Sequence, residues 1–136
     1  FASKFVHRVK NAEDVKTINA IEEIKIIDVN NKQVKVLAKI DTGAWSSTID
    51  ISLAKKLGLL RKSRILMTRK KLSSLGEEQR PVIALSFWLS GRKIVTRATV
   101  SDRKLLRYSV LVGRTDLQGF LISPTIEKEN LVKAKW

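Results

Sequence analysis

The stretch Leu37-Ala38-Lys39-Ile40-Asp41-Thr42-Gly43-Ala44 decides how the rest of the chain reads. Val34, Val36, Ala38 and Ile40 alternate with Lys35, Leu37 and Lys39, the period of a β-strand. The alternation stops at Asp41, so a carboxylate stands at the end of a rigid element. Thr42 adds a hydroxyl able to bond across to a symmetry mate. Gly43 tolerates almost any backbone angle, which permits a tight turn with backbone donors close to the carboxylate. Asp, Thr and Gly are also ordinary turn-formers, so these three residues gain chemical meaning only from their surroundings.

Upstream, Ile24-Lys25-Ile26-Ile27-Asp28-Val29 is β-branched and strand-like, and Asn30-Asn31 can take the positive φ angles of a tight turn. A hairpin therefore delivers the chain to Asp41. Downstream, Ser47-Thr48-Ile49 reads as a short strand. Asp50 or Ser52 can then cap a helix whose Leu53 and Leu57 share a face and whose C-terminus Gly58 closes. Arg61 to Gly76 is basic and polar, with Ser73-Ser74-Leu75-Gly76 as a hairpin tip or loop. A second hairpin runs from Val82 to Leu89, through a Ser90-Gly91 turn, to Lys93–Val100. Its first strand is apolar on both faces, which predicts burial on both sides in a closed or layered β structure. Tyr108 to Val112 reads as a strand ending at Gly113, Asp116-Leu117 as a helical turn with Asp116 as a cap, and Phe120-Leu121-Ile122 as the last strand before Pro124.

The whole chain sets bounds on these readings. Its 136 residues suit one domain, and 43% hydrophobic composition is enough for a core. The expected division is an arm or linker over residues 1–19, a domain over 20–126 and a tail over 127–136. The chain begins at Phe1 rather than Met, a start that a processed piece of something longer would have. No apolar run approaches the roughly 20 residues of a membrane-spanning helix, so no membrane role is expected. With no cysteine and His7 as the single histidine, disulfides and thiolate sites are excluded and a zinc centre lacks donors; neither metal nor cofactor is expected. The charge is lopsided: 27 Lys+Arg against 13 Asp+Glu, a net +14. Between Ile51 and Gly76 there is no acidic residue, while Lys55, Lys56, Arg61, Lys62, Arg64, Arg69, Lys70 and Lys71 all fall there. Such an excess attracts polyanions, acidic polypeptide or nucleic acid alike, and equally suits a plain solvated surface.

The decisive stretch, taken with Ser47 through Ile49 and Leu53-Ala54-Lys55-Lys56-Leu57-Gly58-Leu59, resembles the retropepsin pattern of strand, D-T-G-A loop, strand and short L-A-x-x-L-G-L segment. Val110-Leu111-Val112-Gly113-Arg114 resembles the second hallmark of that family, a strand that crosses beneath the catalytic loop. A narrower likeness rests on Arg80-Pro81-Val82-Ile83, Val100-Ser101-Asp102-Arg103, Tyr108 to Arg114 and Gly119-Phe120-Leu121-Ile122-Ser123-Pro124. These segments look like the retropepsin-like proteins of bacteria and archaea associated with RimK-type glutamate ligases, often labelled ATP-dependent zinc proteases. The likeness runs from about Ile24 to Pro124. Many members carry a histidine shortly after the D-T-G-A motif, where this chain has Asp50, so the zinc label gains no support here.

The resemblance implies a mostly β, single-lobe retropepsin-like (acid protease) barrel with one short helix. It also implies an aspartic endopeptidase, with Asp41, Thr42 and Gly43 catalytic and Ala44, Gly76 and Arg80 lining the substrate path. Two carboxylates about 3 Å apart cannot both ionise. The ionised one activates water and the protonated one polarises the scissile carbonyl. One D-T-G supplies one carboxylate, so a homodimer pairing Asp41 with its mate is the economical solution. Further implications are an acidic peptide or protein substrate such as a poly-glutamate tail, a RimK-type ATP-grasp ligase as partner or fused domain, and a cytoplasmic location. The competing reading is a catalytically silent module of the same fold that binds an acidic polypeptide, a ligase or nucleic acid. Along the sequence the aromatic residues do not alternate with basic ones as stacking platforms do.

Overall fold

The computed structural model describes residues 15–73, 76–102 and 107–126. The hairpin before Asp41 consists of β2 (Ile21–Ile27) and β3 (Gln33–Ile40), paired antiparallel with Ile24 opposite Val36. Its turn is set by Asp28, whose Oδ1 accepts from the backbone N–H of Asn30 at 2.8 Å and of Lys32 at 2.9 Å. Asn31 takes the expected positive φ of 62°. Period-two alternation puts Ile24 and Ile26 wholly inside and Glu23 and Lys25 outside.

After the Asp41 loop, β4 (Ser47–Asp50) leads into α1 (Ile51–Lys56). Asp50 is the N-cap, its Oδ2 accepting from Ser52 N at 3.0 Å and Leu53 N at 3.4 Å. Gly58 ends the helix at φ 73°, and a Cβ there would sit 2.4 Å from Val29 Cγ1. A 3-10 turn (Lys62–Arg64) precedes the long hairpin β5 (Ile65–Ser73) and β6 (Gly76–Leu89). The tight turn at Ser90 and Gly91, both at positive φ, reverses the chain into β7 (Arg92–Ser101). Then come β8 (Val110–Val112), a 3-10 turn (Arg114–Asp116) and β9 (Phe120–Ser123). At the other end of the chain, β1 (Lys16–Asn19) pairs with β9 in parallel.

The strands β2-β3-β8-β4-β7-β6 are neighbours in that order, and Lys25↔Trp88 and Ile26↔Phe87 pair β6 back to β2. The result is a closed, mostly β, six-stranded barrel with one short helix. Closure leaves no free edge within the ring, and the inward side chains fill it: Ile24, Ile26, Ile49, Ile83, Leu85, Phe87, Leu89, Val110 and Val112. Each contributes about 2 kcal/mol by burial relative to exposure.

Three elements differ from the sequence expectation. The basic segment after Arg61 contains a strand, β5, which hangs on β6 outside the closed ring. There β6 starts at Gly76 rather than Val82, and from Thr68 to Pro81 the two strands pair only with each other, as a ribbon leaving the barrel. Its tip residues 74–75 lie outside the described residues. Second, β6 is fully buried along its inner face, at Ile83, Leu85, Phe87 and Leu89, whereas on its outer face Val82 is buried and Ala84, Ser86 and Trp88 are half-buried. Third, Lys16–Asn19, which reads as arm, forms β1 and puts Ile18 in the core at 2% exposure. The remainder of the expected arm, residues 1–14, and the expected tail, 127–136, lie outside the described residues.

Candidate active site

The Asp41 loop is held by β8. That strand runs parallel to the end of β3, with Ala38↔Val110 and Ile40↔Val112, and Asp41 N donates to Val112 O at 2.9 Å. The loop is a turn closed by Ala44 N on Asp41 O at 3.2 Å. Within it, Gly43 N donates to Asp41 Oδ1 at 3.0 Å, so the carboxylate is oriented by the glycine two residues on. Asp41 and Ala44 are half-buried, and Thr42 and Gly43 are exposed. One carboxylate, a hydroxyl and a turn thus face solvent from the end of a rigid strand.

The segment after β8 clamps the far side of the loop. Arg114 N donates to Ala44 O at 2.8 Å and Thr115 N to Trp45 O at 2.9 Å. Gly113 allows this approach: a Cβ there would lie 2.4 Å from both the carbonyl carbon and the oxygen of Ser46. Beneath it, Ser47 is fully buried. Its Oγ accepts from Gly113 N at 3.1 Å and donates to Asp116 Oδ2 at 2.5 Å. Burial raises the Asp116 carboxyl above its ordinary value, and hydrogen bonds from Ser47 and Thr96 oppose the rise. Asp116 therefore does not serve as the expected cap. Gly113 occupies the N-cap of the 3-10 turn, and the Asp116 carboxylate turns inward to Ser47.

The sequence reading overlooked this Ser47–Asp116 link, which joins residues 69 apart. It also overlooked Trp45, which is 70% exposed with the Arg114 guanidinium 5.5 Å from its ring centroid. A tryptophan directly after D-T-G-A was the available signal. Asp41, Thr42, Gly43 and Ala44 come together in one turn beside Val112-Gly113. Gly76 and Arg80 lie elsewhere, on the β5–β6 ribbon. Gly76 begins β6 at φ 115°, and Arg80 reaches Glu78 at 3.2 Å.

Among the described residues no three of His, Cys, Asp and Glu gather into a group that could hold a metal. Asp50 caps α1 with its carboxylate. Among the described residues no helix is long and apolar enough to cross a membrane.

Neither a protein-family model nor a curated protein matches the chain. Solved structures do. A protein of unknown function from Legionella pneumophila superposes with a TM-score of 0.56 at 19% identity, over 82% of this chain and 95% of that one. The simian foamy virus protease gives a TM-score of 0.53 at 23% identity, covering 71% and 90%. The foamy viral protease-reverse transcriptase, in complex with an RNA/DNA hybrid, gives 0.55 at 17% identity over 78% of this chain and 12% of its own. At these identities the likeness establishes the fold, and that fold is a single-lobe retropepsin-like barrel with the Asp41 loop at the end of one of its strands.

Proposed function

We propose that the protein is an aspartic endopeptidase whose catalytic dyad forms when two copies bring their Asp41 carboxylates together. The observation that carries this reading is the Asp41 turn itself: a half-buried carboxylate oriented by Gly43 N and fixed by β8, in a barrel of protease type. The other acidic side chains near the loop have other work. Asp116 bonds Ser47 inside the fold and Asp50 caps α1. A second Asp41 is the economical source of the missing carboxylate, and a twofold axis supplies it with Thr42 alongside. In the dyad one carboxylate is held protonated by its charged neighbour; the ionised one takes a proton from water while the other polarises the peptide carbonyl.

The substrate in this reading is an acidic polypeptide tail, of the poly-glutamate kind that a RimK-type ligase partner or fused domain would make. The net charge of +14 supports it, as does a basic ribbon whose Arg80 and Gly76 would line the path beside Ala44. The experiment is incubation with a poly-glutamate-tailed protein, parent beside Asp41→Asn, read by intact mass. Stepwise loss of tail mass with the parent and none with the variant is expected. Cleavage surviving Asp41→Asn would remove Asp41 from the mechanism. Binding of the tail without cleavage by either protein would favour the silent binding module.

A further inference from the structure

Barrel closure joins residues of two hairpins into one row of four. Lys35 is paired with Lys25, Lys25 with Trp88, and Trp88 with Lys93, across β3, β2, β6 and β7. Directly opposed residues point to the same face of a sheet, and here it is the outer one. Ile26 and Phe87, the next pair along β2 and β6, are fully buried, so Lys25 and Trp88 face outward. The three lysines are exposed and Trp88 is half-buried. With neighbouring strands about 4.8 Å apart, the row spans about 14 Å. A cavity of about 240 Å³ opens on this face, lined by Lys25, Trp88, Glu23, Gln33 and the Ser90-Gly91 turn. Lys16 Nζ donates to Ser90 O at 2.7 Å and ties β1 to that rim.

We propose that this face binds single-stranded nucleic acid, with a base stacked on Trp88 and adjacent phosphates on Lys25, Lys35 and Lys93. A ring platform beside a line of cations matches what a single strand offers, since every base has a π face and every linkage a charge. In the cavity, Gln33 can donate to and accept from a base edge, and Glu23 can accept from a base N–H. An acidic peptide suits the same face poorly: it gives Trp88 nothing to stack and sets its carboxylates against Glu23. A duplex keeps its base faces stacked and cannot present one to Trp88. The row is also remote from the peptidase loop along the strand. Lys35 precedes Asp41 on β3 by six residues, about 20 Å of extended chain. The inference therefore stands independently of the proposed hydrolysis.

The test is fluorescence anisotropy of short labelled RNA and DNA oligonucleotides of mixed sequence, titrated with the whole chain over a range of salt. Binding is expected to weaken as salt rises, and each of Lys25→Ala, Lys35→Ala and Lys93→Ala should lower the slope of log K against log salt by about 0.7. Trp88→Leu should weaken binding at least about fivefold. Should that variant fail to fold, as a thermal melt would reveal, the exposed lysines carry the test alone. Asp41→Asn should bind as the parent does. The RNA and DNA arms tell which sugar the face prefers, and preference for either supports the site. Three results would overturn it: no binding at low salt, a poly-glutamate of similar length competing as well as unlabelled oligonucleotide, or Lys55→Ala with Lys56→Ala on α1 lowering the salt slope as much as the sheet lysines do.

Discussion

Gly113 and Asp116 carry single-residue constraints behind the candidate catalytic turn, and each leads to a measurable outcome. A methyl group on Gly113 would press on the Ser46 backbone at 2.4 Å, and backbone held on both sides cannot yield cheaply. Gly113→Ala is expected to lower stability by about 3 kcal/mol in urea unfolding; a variant as stable as the parent would show that the loop has slack. Asp116 concerns pH. Its folded value lies above the ordinary 3.8, so between those two values the folded chain holds more protons than the unfolded one. Stability contributed by the neutral form is then lost as pH rises through that window, and the loss is complete above it. Asp116→Asn keeps an acceptor for Ser47 and removes the charge. The melting temperature of the variant relative to the parent should therefore rise as pH increases above 3.8. A difference that stayed flat or fell with pH would contradict the burial argument.

At the scale of elements, the β5–β6 hairpin divides into a part welded to the barrel and a part that is not. From Val82 to Leu89, β6 is flanked by β7, and alternate residues fill the core. From Gly76 to Pro81 it has β5 alone, and the facing stretch of β5 includes Leu72 at 81% exposure. A two-stranded ribbon without a buried face is marginal in water. Amide hydrogen exchange should be fast over Thr68–Leu72 and Glu77–Arg80 and slow over Ile83–Leu89, with protection of the latter near the global value. Uniform protection along β6 would mean that the ribbon is braced by something beyond its own pairing. If the ribbon is the substrate clamp of the proposed peptidase, a bound acidic peptide should slow exchange there first.

At the scale of the whole molecule, one chain offers one Asp-Thr-Gly loop, and the proposed chemistry needs two. Specific activity should rise with protein concentration and level off where sedimentation shows a dimer, because association must overcome the entropy of joining two bodies. Salt should weaken turnover of acidic substrates by screening the basic surface over about 10 Å at 0.1 M. Full activity in a demonstrated monomer would sink the shared dyad. The +14 charge acts at this scale as well. It raises the local concentration of any polyanion, so tail and nucleic acid are told apart by local groups such as Trp88 and Glu23, not by net charge.

The sequence by itself determined the elements that depend on near neighbours. The β2–β3 hairpin with its Asn31 turn, the Asp50-capped helix, the Ser90-Gly91 turn and the strand that ends at Asp41 all follow from period, caps and turn residues within a few positions. The D-T-G-A and Leu111-Val112-Gly113 segments likewise pointed to the retropepsin-like barrel. Only the tertiary structure decided the rest. Strand β5 hid in a basic run because its partner, the extension of β6, supplies its hydrogen bonds and little of it is buried, so no apolar alternation marks it. Lys16–Asn19 reads as arm because its partner β9 lies a hundred residues away. The Ser47–Asp116 bond and the Lys35–Lys25–Trp88–Lys93 row have the same origin. Lysines and a tryptophan that are scattered along the chain line up across it, since strand pairing, which sequence period does not encode, sets which side chains share a face.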